Sequence, residues 1–316
     1  MKQNPLSGKL ISIVAPVYNE EANIAVFVER VVEVMKKNYE TYELILINDG
    51  SKDSSLEKML AIAADNKNVK IVNFARNFGH QSAISAGWDF AQGDAVITLD
   101  SDLQDQPELI PELVNKWIQG FQVVNAVRKT RKDGWLKRTT AKVFYKFLNS
   151  ILTSKIPENV GDYRLLDKRV VDVLRQITER DRYIRGLTNW VGFRQAFVEF
   201  DRDKRIAGKT NYSIGKMFNL ALNGIFSFSD FPRKLAHLAW LFSVFITMVL
   251  LVYATVLHYM GINTPGWTSQ VFIMLCFSSI QLFLLAIVLE YVSRTYREVQ
   301  ARPLYVVADK VNFDKK

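Results

Sequence analysis

The chain has 316 residues, a formal net charge of +9 and 49% hydrophobic residues, a composition typical of globular proteins rather than disordered chains. Its single cysteine excludes an intrachain disulfide, so the composition does not point to an oxidising compartment. The positive charge is compatible with nucleic acid, acidic lipid or an anionic substrate, and only the distribution of the charges separates these partners.

Strand-like and helix-like segments alternate through the first part of the chain. The pattern predicts strands over residues 10–17, 42–48, 69–74, 95–99 and 121–127, and helices over 20–37, 54–66, 81–91 and 107–119. This rhythm is typical of an α/β fold with a Rossmann-like, mostly parallel sheet flanked by helices. The apolar stretch before Pro16 is too short for a secretory signal, so we expect this domain to stay in the cytoplasm.

Polar residues follow four of the predicted strands. They are Tyr18-Asn19-Glu20, Asp49-Gly50-Ser51, Arg76-Asn77 and Asp100-Ser101-Asp102. Carboxyl ends of parallel strands meet at one edge of a sheet, which favours a single shared site. Taken singly, the asparagine and the serine in these segments serve equally well as helix caps or turn residues.

The strongest local signal is the Asp100-Ser101-Asp102-Leu103-Gln104 segment, directly after a predicted buried strand. Two carboxylates so close repel each other unless a cation compensates them. Oxygen ligands suit Mg²⁺ or Mn²⁺, which also bridge to phosphate oxygens. We therefore expect Asp102 and Gln104 to ligate a divalent metal.

Two segments combine basic or polar residues with apolar ones at helical spacing. Residues 128–146 carry eight Lys or Arg against one acid, and residues 214–231 carry a small polar face beside an apolar one. We expect interfacial helices over 134–155 and 214–232. A basic aromatic stretch also suits RNA, but no recognition motif supports a nucleic-acid partner.

A long apolar region without Asp, Glu, Lys or Arg extends over residues 235–289. It predicts a transmembrane hairpin with spans 235–260 and 270–289, against the alternative of a buried hairpin in a soluble core. Basic residues flank both outer ends, so the positive-inside rule places the N-terminal domain, residues 1–213, and the 290–316 tail in the cytoplasm. We expect an integral protein of the plasma membrane, and packing of the spans against a second copy stays an open alternative.

The motifs resemble those of a known family. Segments 15–21, 48–53 and 100–104 are similar to family 2 glycosyltransferases, which have the GT-A fold. Segments 76–80 and 205–210 narrow the resemblance to polyprenol-phosphate glycosyltransferases, above all the bactoprenol glucosyltransferase branch, with further similarity to dolichol-phosphate mannose synthase.

On the donor side, the resemblance implies a nucleotide pocket lined by Pro16, Tyr18 and Glu20. It implies that Asp49 holds the base or the ribose. Asp100 then faces the nucleotide-sugar.

For the phosphates, the resemblance assigns the metal on the diphosphate to Asp102 and Gln104. It implies that Arg128 and Arg138 receive the acceptor phosphate and that Arg205 closes over the donor diphosphate. The segment 162–164 (Asp-Tyr-Arg) matches a family segment near the acceptor site, without an individual role for its members.

The expected reaction is inverting transfer of glucose from UDP-glucose to undecaprenyl or a similar polyprenyl phosphate. Such a phosphate is ionised at neutral pH and needs positioning rather than a strong base. Accordingly, His80 is the one histidine near the predicted site, and the sequence places it in a turn.

Three alternatives to this reaction remain. A mannose synthase would use GDP-mannose, and a non-catalytic nucleotide-sugar sensor would not need the metal ligands. A processive polysaccharide synthase would carry a Gln-x-x-Arg-Trp motif, which the chain lacks.

Overall fold

The computed structural model of the protein describes residues 6–129, 160–201, 229, 231–261 and 266–313. The predicted interfacial helix 134–155, nearly all of the predicted helix 214–232, and Arg138 and Arg205 lie outside these residues. Their assignments stay predictions.

Eight strands in the described residues form one sheet. The strands are β1 Leu10–Val17, β2 Thr41–Asn48, β3 Val69–Phe74, β4 Ala95–Thr98, β5 Val123–Arg128, β6 Val160–Asp167, β7 Gln195–Phe200 and β8 Val307–Val311. Their order across the sheet is β7-β5-β6-β4-β1-β2-β3-β8. β1 pairs in parallel with β2 and β4, β2 with β3, and β5 with β7, whereas β6 and β8 run antiparallel to their neighbours.

Helices cover both faces of the sheet. The helices are α1 Ile24–Asn38, α2 Ser55–Asp65, α3 His80–Phe90, α4 Ile110–Ile118, α5 Lys168–Gln176, α6 Ile184–Trp190, α7 Phe231–Tyr259 and α8 Trp267–Gln300. The buried residues of α1, α2 and α4 pack on one face, and those of α3, α5 and α6 on the other. This three-layer arrangement confirms the predicted mostly parallel α/β fold.

Close contact between α3 and β1 depends on Gly87. A Cβ atom at Gly87 would lie 1.9 Å from Cγ1 of Val14, so any larger residue would push the helix off the sheet. The glycine therefore sets the distance between α3 and the strand that leads into the predicted site.

Helix α1 begins four residues later than predicted. The backbone of Asn19 has a φ of 55°, and the amides of Asn23 and Ile24 both donate to the carbonyl of Glu20. A residue in the left-handed region cannot continue a right-handed helix, so residues 18–23 form a turn before α1 starts.

The sequence pattern predicted no helix or strand between residues 156 and 213, where the structure has β6, α5, α6 and β7. It also treated residues 290–316 as an appended tail, whereas β8 pairs antiparallel with β3 and extends the sheet. The β8 sequence, Val-Ala-Asp-Lys-Val, has the short length and the charged residues of a protected edge strand and therefore little hydrophobic signal.

Helices α7 and α8 are long and apolar enough to span a membrane. Within the stretches Phe231–Leu257 and Phe272–Gln300, an 18-residue segment has a mean hydropathy of 2.3 and 2.6, respectively, and neither segment is buried against the protein. Both helices extend beyond the predicted spans, because α7 begins at Phe231 and α8 continues to Gln300.

The end of α8 contacts the α/β domain directly. Arg297 Nη2 lies 2.7 Å from Asp181 Oδ2, and the amide of Arg180 donates to Glu298 Oε1 at 2.7 Å. Asp181 lies in the loop between α5 and α6. Helix α8 is therefore attached to the domain through this loop as well as through β8.

Candidate functional site

The strand order reverses its direction at β1. From β1 the chain moves to β2 and β3 on one side, whereas β4 lies on the other side. In open α/β sheets, such a switch point leaves a crevice outside the carboxyl ends of the strands, where ligands bind. The ends of β1 and β4 carry the segments 18–20 and 100–104, so the two predicted clusters flank this crevice.

The donor-side residues lie at the end of β1. Pro16 is buried, and its carbonyl accepts a 2.8 Å hydrogen bond from Ser101 Oγ, which ties β1 to the turn after β4. Tyr18 and Glu20 are half-buried at the mouth of the crevice. Glu20 Oε2 accepts from Asn23 Nδ2 at 2.7 Å, which fixes the carboxylate beside the start of α1.

Asn19 and Ser51 connect two loops of the site. The amide of Asn19 donates to Ser51 Oγ at 3.1 Å, and the amide of Lys52 donates to Asn19 Oδ1 at 2.8 Å. Both residues thus take part in the turns that join the ends of β1 and β2, and a role for them in the shared site stays a prediction.

Asp49 is buried, with an exposed fraction of 3%, and its carboxylate accepts backbone hydrogen bonds from Phe78 at 2.7 Å and Gly79 at 3.0 Å. Burial raises the pKa of Asp49, and these two amides partly counteract that rise. Gly50 lets the two loops approach so closely, because its φ is +65° and a Cβ there would lie 2.5 Å from the carbonyl carbon of Arg76. Asp49 therefore orders the loop before α3, whichever part of a donor it contacts.

The segment after β4 forms a tight turn. Asp100 is half-buried and Asp102 is buried, with an exposed fraction of 7%. Leu103 has a φ of 61°, and the amide of Gln104 donates to Asp102 Oδ1 at 3.2 Å. The turn keeps Asp102 and the backbone of Gln104 together at the carboxyl end of β4, and metal ligation by Asp102 and Gln104 stays a prediction.

The residues of this turn suit a divalent cation whose coordination is completed by substrate phosphates. Among the described residues, no cluster of three or more His, Cys, Asp or Glu could hold a metal alone. Mg²⁺ is commonly held by one or two carboxylates together with substrate phosphates and water. The oxygen donors of Asp102 and Gln104 fit that kind of site.

A second charged cluster lies beside Asp100. The Asp162 carboxylate near the start of β6 is bound by Arg185 from α6, through Nε at 3.0 Å and Nη2 at 2.9 Å. Arg164 Nη2 lies 3.6 Å from the same carboxylate. His80 Nε2 lies 3.4 Å from Asp162 Oδ2 and 3.7 Å from Asp100 Oδ1.

Arg164 is buried inside this cluster, with an exposed fraction of 1%. Its guanidinium donates to the hydroxyl of Thr188 and, at 2.7 Å, to the carbonyl of Gly161. Burial lowers the pKa of Arg164 to about 10, against the opposing charge of Asp162, so the side chain remains cationic at neutral pH. Asp162 and Arg164 thus form part of the wall of the site.

Arg128, predicted to receive the acceptor phosphate, is the last residue of β5 and is half-buried. Its guanidinium lies against Gly161, where an added Cβ would be 3.1 Å from Arg128 Nη2. The structure thus brings Arg128 next to Asp162 at the edge that carries Asp100.

Sequence reasoning missed Arg185 and misplaced His80. Arg185 lies in a helix that the sequence analysis did not assign, and its role depends on a contact with a residue 23 positions earlier. His80 is the first residue of α3, not a turn residue. The sequence had already placed His80 near the predicted site, so only its assignment to a turn was wrong.

Comparison with known proteins agrees with these observations. The family described as Glycosyl transferase family 2 matches residues 12–175. A bactoprenol glucosyl transferase of Shigella phage SfII is 41% identical over 94% of this chain and 97% of its own. A prophage bactoprenol glucosyl transferase homologue of Escherichia coli is 40% identical over 94% and 98%, and an uncharacterised glycosyltransferase of Synechocystis is 46% identical over 95% of each chain.

Solved structures are more distant. Glucosyl-3-phosphoglycerate synthase from Mycobacterium tuberculosis, in complex with phosphoglyceric acid, is 21% identical, with a TM-score of 0.47 over 70% of this chain and 79% of its own.

Proposed function

The chain belongs to glycosyl transferase family 2, and from that premise we propose that it transfers glucose from UDP-glucose to a polyprenyl phosphate at the cytoplasmic face of a membrane. The observation that carries the proposal is the 40–41% identity to bactoprenol glucosyl transferases over at least 94% of this chain. That alignment includes most of the apolar C-terminal region, so the similarity covers more than a shared catalytic domain.

The site supports transfer of a sugar from the donor diphosphate to the acceptor phosphate. The nucleophile is the acceptor phosphate, which is ionised at neutral pH, so the protein has to position it and compensate its charge. We assign Arg128 and Arg138 to this task, and the position of Arg128 at the end of β5, beside Gly161, supports the assignment. Arg205 would close over the donor diphosphate.

The donor would bind across the switch point. Pro16, Tyr18 and Glu20 would line the nucleotide pocket, and Asp49 would order the adjoining loop and hold the base or the ribose. Asp100 would face the sugar. Direct displacement at the anomeric carbon inverts its configuration, so an α-linked donor gives a β-linked product.

Asp102 and Gln104 would hold Mg²⁺ or Mn²⁺ on the diphosphate. When bound, such an ion supplies charge stabilisation for the leaving group. The protein contributes the tight turn after β4 that carries both residues.

We place the catalytic domain and both termini in the cytoplasm, with α7 and α8 as a hairpin through the bilayer. Arg233 and Lys234 at the start of α7, and Arg294 and Arg297 near the end of α8, belong to the same side under the positive-inside rule. The acceptor's phosphate would then lie at the membrane surface on the side that holds nucleotide-sugars.

A donor panel tests the proposal. Purified full-length protein is incubated with polyprenyl phosphate, Mg²⁺ or Mn²⁺, and radiolabelled UDP-glucose, other UDP-sugars or GDP-mannose, and label in the organic extract is counted. We expect label from UDP-glucose. Label from GDP-mannose with none from UDP-glucose would replace the donor, and no lipid label from any sugar would overturn the enzymatic function.

A further inference from the structure

Two carboxylates face each other across β4 and β6. In this antiparallel pair Thr98 lies opposite Arg164. Asp100 is two residues beyond Thr98, and Asp162 is two residues before Arg164, so the register places Asp100 and Asp162 opposite each other at the site edge. Like charges directly opposite in a sheet repel each other, and this pair therefore needs a cation between them.

His80 occupies the position that such a cation needs. Its Nε2 atom lies within 3.7 Å of Asp100 Oδ1 and within 3.4 Å of Asp162 Oδ2. The ring is carried by the first residue of α3, and the loop before it is held by the Asp49 carboxylate through the Phe78 and Gly79 amides. The backbone that presents the imidazole is therefore fixed from a third strand, β2.

The two carboxylates are held very differently. Asp162 is bound in a bidentate contact by Arg185 and has a side-chain exposure of 4%, whereas the Asp100 side chain is 25% exposed and faces the crevice. A link from the ring to Asp162 thus anchors the imidazole on a fixed group. The same ring then reaches the more exposed carboxylate at the site.

We propose that His80 is a positioning residue that bridges Asp100 to the buried Asp162–Arg185 pair and so holds the Asp100 carboxylate in its orientation toward the donor sugar. This inference rests on the proposed function of the same site. The inference assigns no proton transfer to His80, because the two partners of the imidazole are carboxylates of the protein itself.

The charges around the ring support a cationic imidazole. The neighbouring groups are Asp49 from the end of β2, Asp100 from β4, Asp162 from β6 and Arg185 from α6. Desolvation and Arg185 oppose protonation, but the hydrogen bond to Asp162 and the charges of the two carboxylates outweigh them and raise the pKa of His80 to about 9.

The first test separates the two substrates kinetically. His80→Gln removes the charge, and we expect it to raise the KM for the nucleotide-sugar about tenfold or more, the scale of one lost charge-assisted hydrogen bond, with the KM for polyprenyl phosphate unchanged. His80→Lys should restore most of the donor affinity because it keeps a cation there. The matched control is His237→Gln, since His237 is exposed on α7 and contacts the Arg233 carbonyl.

A purely structural role would reduce the amount of active enzyme and leave both KM values unchanged. A donor KM equal to wild type in His80→Gln would overturn the inference, and so would the absence of rescue by His80→Lys. Neither result would affect the proposed function, which is supported by transfer in the wild type.

The second test needs no activity. Histidine-labelled full-length protein in detergent is titrated by NMR, and the His80 resonance is assigned with His80→Gln. We expect a midpoint near 9 in the wild type and a lower one in Asp100→Asn. A wild-type midpoint at the ordinary value of about 6.5 would overturn the inference. A midpoint that Asp100→Asn leaves unchanged would also overturn it. This test does not depend on which nucleotide-sugar is the donor.

Discussion

The Asp162 carboxylate remains ionised although it is buried. Burial alone would favour the neutral acid, but the charge of Arg185 and the hydrogen bonds from His80 and Arg185 outweigh it and hold the pKa of Asp162 well below its usual range. A lowered pKa in the folded state stabilises the fold above the unfolded pKa of about 3.9, and this contribution is lost as the pH falls through the folded value.

Removal of Arg185 should therefore destabilise the protein. We expect Arg185→Met to lower the free energy of unfolding by about 3 kcal/mol at pH 7, because it leaves a buried carboxylate with fewer partners. The difference from wild type should shrink as the pH falls below about 4. Chemical denaturation of the detergent-solubilised protein at pH 7 and at acidic pH measures both effects.

Arg30 offers a matched control for Arg185. It makes the same Nε and Nη2 contacts to a carboxylate, that of Glu108, but at the surface. Arg30→Met should cost less than about 1 kcal/mol. Equal losses in the two variants would contradict the account of the buried cluster.

Arg128 is predicted to act on the acceptor and not on the donor. Arg128→Ala should raise the KM for polyprenyl phosphate about tenfold or more, since a charge-assisted contact to phosphate is lost, with little change in the KM for UDP-glucose. Initial rates with each substrate varied in turn measure both constants. Lys129→Ala, at the adjacent exposed position, is the control, and an unchanged lipid dependence in Arg128→Ala would remove Arg128 from the acceptor site.

At the scale of elements, β8 closes one edge of the sheet. Tyr305 stacks on Phe74 with ring centroids 5.0 Å apart and donates to Asp89 Oδ2 at 2.8 Å. Asn312 Nδ2 donates to the carbonyls of Ala63 and Val69 at 2.7 and 2.8 Å. The segment after α8 is therefore part of the catalytic domain's own packing.

Loss of the Tyr305 ring should weaken the whole domain. We expect Tyr305→Ala to lower the free energy of unfolding by about 2–3 kcal/mol, less than for a fully buried aromatic because Tyr305 is half-buried. Tyr305→Phe should cost only about 1 kcal/mol for the lost hydrogen bond. Val306→Ala is the control, because that side chain is 48% exposed. If Tyr305→Ala lowered the free energy of unfolding no more than Val306→Ala, the segment with β8 would not stabilise the domain.

The sequence predicted some of these elements well and missed others. β1 and β3 were predicted to the residue. β1 is a nearly continuous apolar run, typical of a buried parallel strand, and β3 keeps four apolar residues around Lys70 and Asn73. β6 was missed because its core carries Asp162 and Arg164, whose charges hide a buried strand. Arg185 could not have been found, because contacts between residues far apart in the sequence leave no periodic pattern.

At the scale of the whole molecule, α8 joins the apolar hairpin to the site. Its end contacts Asp181 and Arg180 in the loop that leads into α6, and α6 carries Arg185. The chain after α8 then leads into β8, which pairs with β3 at one edge of the sheet. The catalytic domain is thus attached to the apolar hairpin at two places, which should fix its orientation at the bilayer.

The proposed topology can be tested with single cysteines. The chain has one cysteine, so a Cys276→Ser background allows Asn263→Cys between the spans and Ala308→Cys in β8. In intact cells we expect an impermeant maleimide to label the first position and not the second. The reverse pattern would contradict a cytoplasmic catalytic domain, and permeabilised cells serve as the control for reactivity.

The proposed transfer reaction, in which Asp102 is predicted to ligate the metal, is tested most directly by one comparison. Wild type, Asp102→Ala and Asp94→Ala are incubated with labelled UDP-glucose, polyprenyl phosphate and Mn²⁺, and lipid-linked label is followed with time. Asp94 lies just before β4 at the opposite edge of the sheet and pairs with Lys9. We predict wild-type rates for Asp94→Ala and less than about a tenth of that rate for the folded Asp102→Ala protein; comparable transfer by Asp102→Ala would contradict the account.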